Sequence, residues 1–394
     1  MFAQTLNELT FRLTLAPQGP LLVKAGDEFT PAGEVQDALR LLPEKQMAYF
    51  QGRKEREQER RDGLKKQAKD RRERERRDRQ AARQRGQTQP IVEEPEAADM
   101  RFVLTQRRGQ KEPYLPGSSL KGVLRSHAER LACSMTPAGD GACNLFGRPG
   151  GGDEPCWQCL EESDGPRREH VSATRAYRVL CPVCKLFGCP FLAGRIRISD
   201  AYLVEPAGRG PLSRRDSVGI DRRRGAAADG AKYDFEYWDG GAFQAQVTVR
   251  NFELWQLGLL AHLLHGLDKG EIPVGFGTHR GLGRVQGAVS GLQMAYFGSL
   301  ALEQRSPPLP LLGLGQLSLK RPVLAAYGFW DGEPLPSPLA RGVRLVMDGS
   351  VPWRQAWAVD EPERLWEAVG PLWNPRLVDE LAQARRAAEE EEHG

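Results

Sequence analysis

The stretch Tyr114–Arg130, YLPGSSLKGVLRSHAER, decides how the rest of the sequence is interpreted. A Pro-Gly turn precedes two serines, and Ser118 or Ser119 is expected to cap the helix that follows. Lys121 and Arg125 lie one helical turn apart, so their side chains share one side of that helix. A helix start also presents unpaired backbone N–H groups, so the stretch predicts a phosphate-binding site. An ordinary capped helix is the alternative that this stretch alone leaves open.

Three further motifs follow in a fixed order: CPVCKLFG in Cys181–Gly188, GRIRISDAY in Gly194–Tyr202 and the glycine-rich RGLGRV in Arg280–Val285. Together with PGSSLKGVLR in Pro116–Arg125, they occur in the order seen in the RAMP superfamily. More narrowly, the chain resembles the backbone subunit of type III CRISPR effector complexes, in particular the III-D-like branch. The resemblance covers roughly residues 8–290.

The resemblance implies an α+β fold with a ferredoxin-like, RRM-type core, a zinc-binding insertion and a thumb hairpin. The residues after about 291 match nothing in the family and are interpreted as a C-terminal extension. The alternation of apolar and polar residues in Thr10–Leu15 agrees with a half-buried first strand. Asn251 is expected to cap a helix over Phe252–Leu267, which is apolar on nearly all sides and therefore predicted to be core.

The resemblance and the changes in composition together suggest four regions. Residues 1–44 form the start of the core, and 45–98 form a charged helical or disordered insertion. Residues 99–290 hold the rest of the core, with the zinc region 133–189 and the thumb hairpin 216–238. Residues 291–394 form the C-terminal extension, which is interpreted as a small appended unit or a tail that docks on a neighbour.

Charge is unevenly distributed along the 394 residues. The net charge is only +4, but Arg53–Arg85 holds 16 basic and 8 acidic residues. This segment has almost no apolar residues, so it is expected to be a solvated excursion or a basic arm that touches RNA or a neighbouring subunit. An argument for nucleic acid from overall charge is excluded. The chain shows neither an apolar run of about 18 residues nor a secretion signal, so a cytoplasmic protein without membrane contact is expected.

The cysteines predict a structural metal site. Cys181 with Cys184 and Cys156 with Cys159 form two C-x-x-C pairs about 20 residues apart, a strong zinc signal. The family resemblance implies a different set, namely Cys143, Cys156, Cys181 and Cys184, with Cys159 as the alternate ligand. All candidates are thiolates, so Zn²⁺ is expected to stabilise the fold rather than to catalyse a reaction.

A carboxylate is the candidate for catalysis. In the resembled family, the segment between the first strands and the P-G-S-S turn holds the aspartate needed for target RNA cleavage. Asp99 lies at the matching place, directly after the predicted insertion. Asp27, in an earlier Gly-Asp turn, is the alternate, and Asp99 as a mere linker residue is the third interpretation.

The remaining RNA-binding candidates lie on a strand, a hairpin and a loop. Arg195 is expected on the outer face of a strand. Arg222 and Arg223 are expected at the tip of the thumb hairpin, and Arg280, Gly281 and Gly283 in a loop where backbone N–H groups approach phosphate closely.

The function expected from these features is binding of CRISPR guide RNA and Mg²⁺- or Mn²⁺-dependent endonucleolytic cleavage of complementary target RNA. Other RAMP subunits of a type III complex are the expected protein partners. Two alternatives stay open. One is a non-catalytic guide-RNA scaffold, and the other is a guide-processing nuclease that uses His279 without a metal ion.

Overall fold

The structure of the protein is a computed structural model. It describes residues 4–25, 98–107, 109–147, 154–158, 160, 171–204, 212–298, 311–318, 326–329, 343–346, 353–374, 378 and 381–382. The chain divides into two compact units, one formed by Met1–Ala25 and Asp99–Gly394 and the other by Gly26–Ala98. The predicted charged insertion lies, except for Ala98, outside the described residues.

The first unit is a mixed α/β structure. Its strands are β1 (Asn7–Pro17), β2 (Leu104–Arg107), β3 (Gln110–Leu115), β4 (Ile196–Ile198), β5 (Ala201–Leu203), β6 (Ser213–Asp221), β7 (Ala226–Tyr237), β8 (Phe243–Arg250), β9 (Val285–Phe297), β10 (Val343–Val346) and β11 (Arg354–Val359). Its helices are α1 (Gly117–Met135), α2 (Ala173–Val179), α3 (Pro182–Phe187), α4 (Leu254–Asp268), α5 (Leu314–Ser318) and α6 (Pro362–Val369). Two 3₁₀ turns lie at Thr278–Arg280 and Gly370–Leu372.

Nine of these strands form one antiparallel sheet. The order is β10-β11-β9-β1-β8-β5-β3-β2, and β4 also pairs with β8. Helix α1 lies in the chain between β3 and β4, and α4 connects β8 to β9, which flank β1 on opposite sides. Strands β6 and β7 form a separate two-stranded hairpin, and Phe235 of β7 also forms an isolated parallel bridge with Met100.

Strand β1 confirms the predicted alternation and is longer than predicted. Leu9, Phe11, Leu13 and Leu15 are at most 2% exposed, whereas Arg12 on the other face is exposed. Each of the four buried side chains contributes about 1.5–3 kcal/mol through removal of apolar surface from water. The sheet therefore has one face in the core and one polar face, as antiparallel sheets commonly do.

Helix α4 is core, as its composition predicted, but its cap differs from the expected one. Glu253 is the N-cap residue, and its side chain forms a capping box with Gln256. Asn251 instead adopts a left-handed conformation with φ of 51°, and its side-chain oxygen accepts a hydrogen bond from the N–H of Leu6 at 2.8 Å. Asn tolerates this conformation, so it can turn the chain between β8 and α4. No helix within the described ranges is both long and apolar enough to cross a membrane.

The described parts of the C-terminal extension belong to the same sheet and core. Strand β11 pairs with β9 from Arg354 to Val359. The Trp373 ring stacks on Trp255 of α4 with ring centroids 5.9 Å apart. A Cβ on Gly258 of α4 would lie 2.6 Å from the carbonyl oxygen of Val369, so the close packing requires glycine there. The interpretation of 291–394 as an appended unit or a tail on a neighbour is therefore wrong for these parts.

Candidate functional site

The start of α1 is held by the segment between β4 and β5 rather than by its own serines. The helix begins at Gly117 after Pro116, and no side chain caps it by a hydrogen bond within the helix. The N–H of Gly117 donates to Asp200 Oδ1 at 2.8 Å. A Cβ on Gly117 would overlap the backbone of Ile198 and Ser199, so glycine is required for this close approach. The expected cap by Ser118 or Ser119 is thus wrong.

Ser118, Ser119 and Lys121 nevertheless leave polar groups available at the helix start. Both serines are exposed. Lys121 is half-buried and its ammonium donates no hydrogen bond to any part of the chain that the structure describes. Burial lowers the pKa of Lys121, and repulsion by Arg125 and Arg197 lowers it further. An anion bound here would relieve that repulsion.

Arg125 has protein partners instead of a free guanidinium. Its Nε donates to Glu129 Oε1 at 2.8 Å, Nη1 to the carbonyl oxygen of Gly188 at 2.7 Å, and Nη2 to Cys184 Sγ at 3.1 Å. Its side chain is only 14% exposed. Burial alone lowers the pKa of Arg125, but the negative charge of Cys184 and of Glu129 outweighs it, and the pKa is raised. The side chain therefore joins α1 to the cysteines rather than presenting itself to phosphate.

Four cysteines converge beneath α1. The sulfur atoms of Cys143, Cys156, Cys181 and Cys184 all lie within 4.8 Å of one another. Two of the separations are 3.6 Å (Cys143 to Cys184) and 3.7 Å (Cys143 to Cys181). Four thiolates on a tetrahedral zinc ion, with Zn–S bonds of about 2.3 Å, place their sulfur atoms about 3.8 Å apart. The four cysteines could thus hold a metal ion such as zinc.

The backbone around these cysteines prepares them for a cation. The N–H of Cys181 donates to Cys156 Sγ at 3.3 Å, and the N–H of Cys184 donates to Cys181 Sγ at 3.5 Å. The contact with Cys143 lowers the pKa of Cys181 well below the ordinary range of a thiol, although burial opposes this. A thiolate is the form that binds a metal ion. The alternate ligand Cys159 lies outside the described residues.

Arg195 is not on the outer face of a strand, so the prediction that it contacts RNA is wrong. It is 6% exposed, donates to the carbonyl oxygen of Asn251, and lies 4.8 Å from the ring centroid of Tyr177. Strand β4 begins only at Ile196, so the expected alternation of faces does not include Arg195. Arg197, two residues later, is exposed.

The predicted thumb hairpin corresponds to β6 and β7, which are longer than the predicted segments. Arg222 and Arg223 are exposed in the turn at the tip, where Asp221 Oδ1 accepts the N–H of Arg223 at 2.7 Å. Val218 and Ile220 near the tip are 44% and 61% exposed. The hairpin therefore presents apolar and cationic side chains to solvent at its far end.

Asp99 lies at the root of this hairpin. Its N–H donates to Asp234 Oδ1 at 2.7 Å, and its Oδ2 accepts the N–H of Asp234 at 3.1 Å. Arg214 pairs with the other carboxylate oxygen of Asp234. The remaining oxygen of Asp99, Oδ1, accepts no hydrogen bond from the described residues, and the side chain is exposed. The alternate, Asp27, lies outside the described residues.

The glycine-rich loop lies on the other side of the hairpin root. Gly281 and Gly283 have φ of 80° and 81°, a region that favours glycine. Arg280, the last residue of the 3₁₀ turn, donates from Nη1 to the hydroxyl of Tyr233 on β7 at 2.5 Å. The Arg280 guanidinium also lies 5.4 Å from the Tyr233 ring centroid. This contact joins the loop to the hairpin.

A cleft opens between the loop and the hairpin. Its walls include the rings of Tyr233, Phe235 and Phe276, and the cations Arg215 and Arg280. Met100, the neighbour of Asp99 in sequence, also lines it. Aromatic rings beside arginines are suited to a base and its phosphate.

Sequence reasoning missed Arg215, Tyr233 and Phe276. Tyr233 lies within the predicted thumb hairpin 216–238, whereas Arg215 lies one residue before it and Phe276 four residues before the glycine-rich motif. The positions that face the cleft depend on how β7 meets the loop. The alternation along β7 was the available signal for Tyr233 and Phe235, but it does not show which face meets the loop.

Comparison with known proteins identifies the family. A search of curated proteins gives no significant match. The family model of the RAMP superfamily matches residues 19–286, about two thirds of the chain, including α1, the four cysteines, the hairpin and the glycine-rich loop. The chain therefore belongs to the RAMP superfamily.

Proposed function

We propose that this protein is the guide RNA-binding backbone subunit of a type III, III-D-like CRISPR interference complex and that it cleaves complementary target RNA. Membership of the RAMP superfamily supports a CRISPR-associated role in RNA binding. One observation carries the proposal of cleavage: Asp99 is fixed at the hairpin root with one carboxylate oxygen open, next to a cleft of aromatic and arginine side chains.

The core is proposed to be ferredoxin-like and RRM-type. The support is the order β9-β1-β8-β5, with α1 preceding β4 and β5 and with α4 between β8 and β9. Helix α4 connects β8 and β9, which flank β1, and α1 lies in the chain between β1 and β5, which flank β8, with β2 and β3 also in that interval. The polar face of the sheet, which includes Arg12, stays open within the described residues.

The guide RNA is proposed to follow a line of phosphate-binding groups. Lys121 with the first N–H groups of α1 would hold one phosphate, and the backbone of the loop at Gly281 and Gly283 another. The hairpin tip at Arg222 and Arg223 would enter between guide and target, where Val218 and Ile220 (44% and 61% exposed) can pack against bases.

The target RNA supplies its own nucleophile. Its 2′-hydroxyl attacks the adjacent phosphorus, and the bond from phosphorus to the 5′-oxygen of the next nucleotide breaks. The 2′-hydroxyl loses its proton and the departing 5′-oxygen gains one, so the products carry a 2′,3′-cyclic phosphate and a 5′-hydroxyl. The contribution of the protein is to hold one nucleotide out of the duplex at the cleft with its phosphate beside Asp99.

A divalent ion, Mg²⁺ or Mn²⁺, would stabilise the negative charge that develops on the phosphate. Asp99 fits such an ion because Mg²⁺ keeps several waters and binds proteins through one or two carboxylates together with substrate phosphate. The anchoring of Oδ2 by the N–H of Asp234 aims Oδ1 in a fixed direction. The four cysteines are proposed to bind Zn²⁺ for structure, separate from this reaction.

The test is to incubate the assembled complex with labelled complementary RNA in Mg²⁺ and in EDTA, and to identify the product ends. We expect cleavage only with the divalent ion and only of RNA that pairs with the guide. Cleavage that survives EDTA would favour acid–base catalysis by a histidine such as His279, which lies exposed in the 3₁₀ turn.

A non-catalytic scaffold is the second candidate. The observation that favours it is the reciprocal pair of hydrogen bonds between Asp99 and Asp234. These bonds give Asp99 a structural role that needs no catalysis. Binding of guide and target without any cleavage in Mg²⁺ or Mn²⁺ would establish this candidate instead.

A further inference from the structure

We infer that the outer face of the sheet binds an unpaired stretch of the guide RNA, with two tyrosines that stack on bases and two arginines that hold phosphates. The inference rests on the proposed binding of guide RNA. The surface concerned, called the sheet patch, consists of Arg12, Tyr114, Arg197, Tyr202, Gln244 and Gln246.

One row of the sheet patch carries the tyrosines. Tyr114 of β3 lies opposite Tyr202 of β5, and Tyr202 lies opposite Gln244 of β8. The two rings stack with centroids 6.2 Å apart and an angle of 19° between their planes, and both side chains are half-buried. The guanidinium of Arg107 lies 4.3 Å from the centroid of the Tyr202 ring. RNA bases stack on tyrosine rings and on guanidinium planes alike, so this end of the patch can take bases.

The next two rows carry the cations. Gln246 of β8 lies opposite Arg12 of β1, and Thr248 of β8 lies opposite Arg197 of β4. Residues 244, 246 and 248 are alternate positions of one strand, so the three rows project from the same face of the sheet. With about 4.8 Å between strands and about 6.8 Å between rows, Tyr202, Arg12 and Arg197 lie about 12–14 Å from one another at the backbone. Stacked nucleotides repeat at about 3.4 Å along a strand, so the patch has room for up to about four of them.

The two arginines of the patch are free to bind an anion. Both are exposed, and neither Arg12 nor Arg197 forms a hydrogen bond or an ion pair with any residue that the structure describes. Carboxylates on these strands and their turn are already engaged: Glu8 pairs with Arg250, Glu112 pairs with Arg107, and Asp200 accepts the N–H of Gly117. An incoming phosphate would therefore meet two uncompensated positive charges.

The patch adjoins the helix start that is proposed to hold a guide phosphate. The Lys121 ammonium reaches Gly194, three residues before Arg197, because a Cβ on Gly194 would lie 2.8 Å from it. Repulsion by Arg197 also contributes to the lowered pKa of Lys121. Arg197 is thus the residue at which a strand bound at the helix start passes onto the sheet. This continuity of cations favours guide RNA over a protein as the occupant of the patch.

The experiment uses the full chain and oligouridine, a single-stranded RNA without stable structure. Tyr202→Leu removes the ring and keeps apolar volume, whereas Tyr202→Phe keeps the ring. Arg12→Gln and Arg197→Gln each remove one charge, and Arg130→Gln, at an exposed position of α1, is the charge control. Affinity is measured over a series of salt concentrations, with the melting temperature of each variant. Oligouridine that contains iodouridine is also crosslinked by ultraviolet light, and the attached residues are identified by mass spectrometry.

We expect Tyr202→Leu to weaken binding by about 5–150-fold at every salt concentration, the range for loss of one stacked base, and Tyr202→Phe to bind like the parent. Arg12→Gln and Arg197→Gln should each reduce the slope of log affinity against log salt by about 0.7, the value for one phosphate contact with a single strand. Arg130→Gln should leave the slope unchanged. Crosslinks should map to Tyr114 or Tyr202. A residue that only stabilises the fold would change the melting temperature without changing the slope.

Parent affinity and parent slope in Tyr202→Leu and in both glutamine variants would overturn the inference and leave guide binding at the helix start and the loop intact. The same result together with weaker association of these variants with neighbouring subunits would assign the face to a protein contact instead. An unmodified chain that binds no oligouridine would also overturn the inference. If the assembled complex in addition retains no guide RNA, the proposed function fails with it.

Discussion

The glycine-rich loop offers a matched pair of substitutions. Gly281 and Gly283 have nearly the same φ, 80° and 81°, so alanine at either position costs about 1–2 kcal/mol for the left-handed conformation. Nothing lies within 4 Å of a Cβ at Gly281, whereas a Cβ at Gly283 would overlap the carbonyl oxygen of Val274. To relieve this overlap, the backbone at residue 283 must move away from Val274. That movement disturbs two backbone hydrogen bonds, from Val274 N–H to the Gly283 oxygen and from Gly283 N–H to the Pro20 oxygen, both 2.8 Å long.

The loss of these two hydrogen bonds adds about 1–3 kcal/mol. Gly283→Ala should therefore lower the free energy of unfolding by about 2–5 kcal/mol and Gly281→Ala by about 1–2 kcal/mol, a difference of about 1–3 kcal/mol. At about 2–4 °C per kcal/mol, Gly283→Ala should melt about 2–12 °C below Gly281→Ala.

Differential scanning calorimetry at fixed protein and Zn²⁺ concentration measures both variants. The reasoning is refuted if the two alanine variants melt at the same temperature, because the overlap with Val274 is the feature that separates them. A Gly281→Ala variant that melts well below Gly283→Ala would also contradict it.

Three further predictions follow from the cysteines, the helix start and the charged segment. Cys181→Ser with Cys184→Ser should abolish bound zinc in elemental analysis and lower the melting temperature sharply, since structural zinc contributes several kcal/mol or more; full zinc content in the double variant would contradict this. Lys121→Ala should weaken guide RNA binding and reduce the slope of log affinity against log salt by about 0.7–0.9. Arg125→Gln should leave that slope unchanged because its donors have protein partners, and a reduced slope would show that it contacts phosphate after all. Deletion of 53–85 should leave a folded protein with nearly the parent melting temperature, because the segment offers almost no apolar surface to a core; a large drop would show that it packs.

The parts of the fold that depend on local pattern could be predicted from the sequence. Alternation identified β1, and the all-round apolar composition identified α4 as core. The strand and the helix are determined by neighbours along the chain, which is what a pattern records. The four cysteines that the structure brings within 4.8 Å are the set implied by the family resemblance, whereas spacing alone indicated Cys159 in place of Cys143.

The predictions for the two helix starts were wrong because the expected local residue does not form the hydrogen bond that was predicted for it. Asp200, on the segment between β4 and β5, accepts the N–H of Gly117 at the start of α1, where a serine was expected to be the cap. Glu253 rather than Asn251 caps α4, because Asn251 is used to bond the N–H of Leu6.

The two arginines assigned wrongly share one cause. Arg125 and Arg195 occupy positions that look exposed from spacing alone, but each is drawn inward by an anionic or carbonyl partner far away in sequence. A lone sequence cannot show that partner. The interpretation of an arginine as an RNA contact is therefore secure only when its protein partners are known.

The assignment of Asp99 as the cleavage residue is the central claim, and single-turnover cleavage of target RNA by the assembled complex tests it most directly. Asp99→Asn is the sharpest variant because the amide oxygen can still accept the N–H of Asp234, so the hairpin root should keep its geometry while the charge is lost. Asp27→Asn tests the alternate, and Asp268→Asn, a partly exposed carboxylate of an ion pair at the end of α4, is the control.

We predict that Asp99→Asn lowers the rate with Mg²⁺ on the order of a hundredfold or more, with guide and target affinity unchanged, and that Asp27→Asn and Asp268→Asn cleave at the parent rate. Parent-rate cleavage by Asp99→Asn, with loss of cleavage in Asp27→Asn, would contradict the assignment and move the site to Asp27.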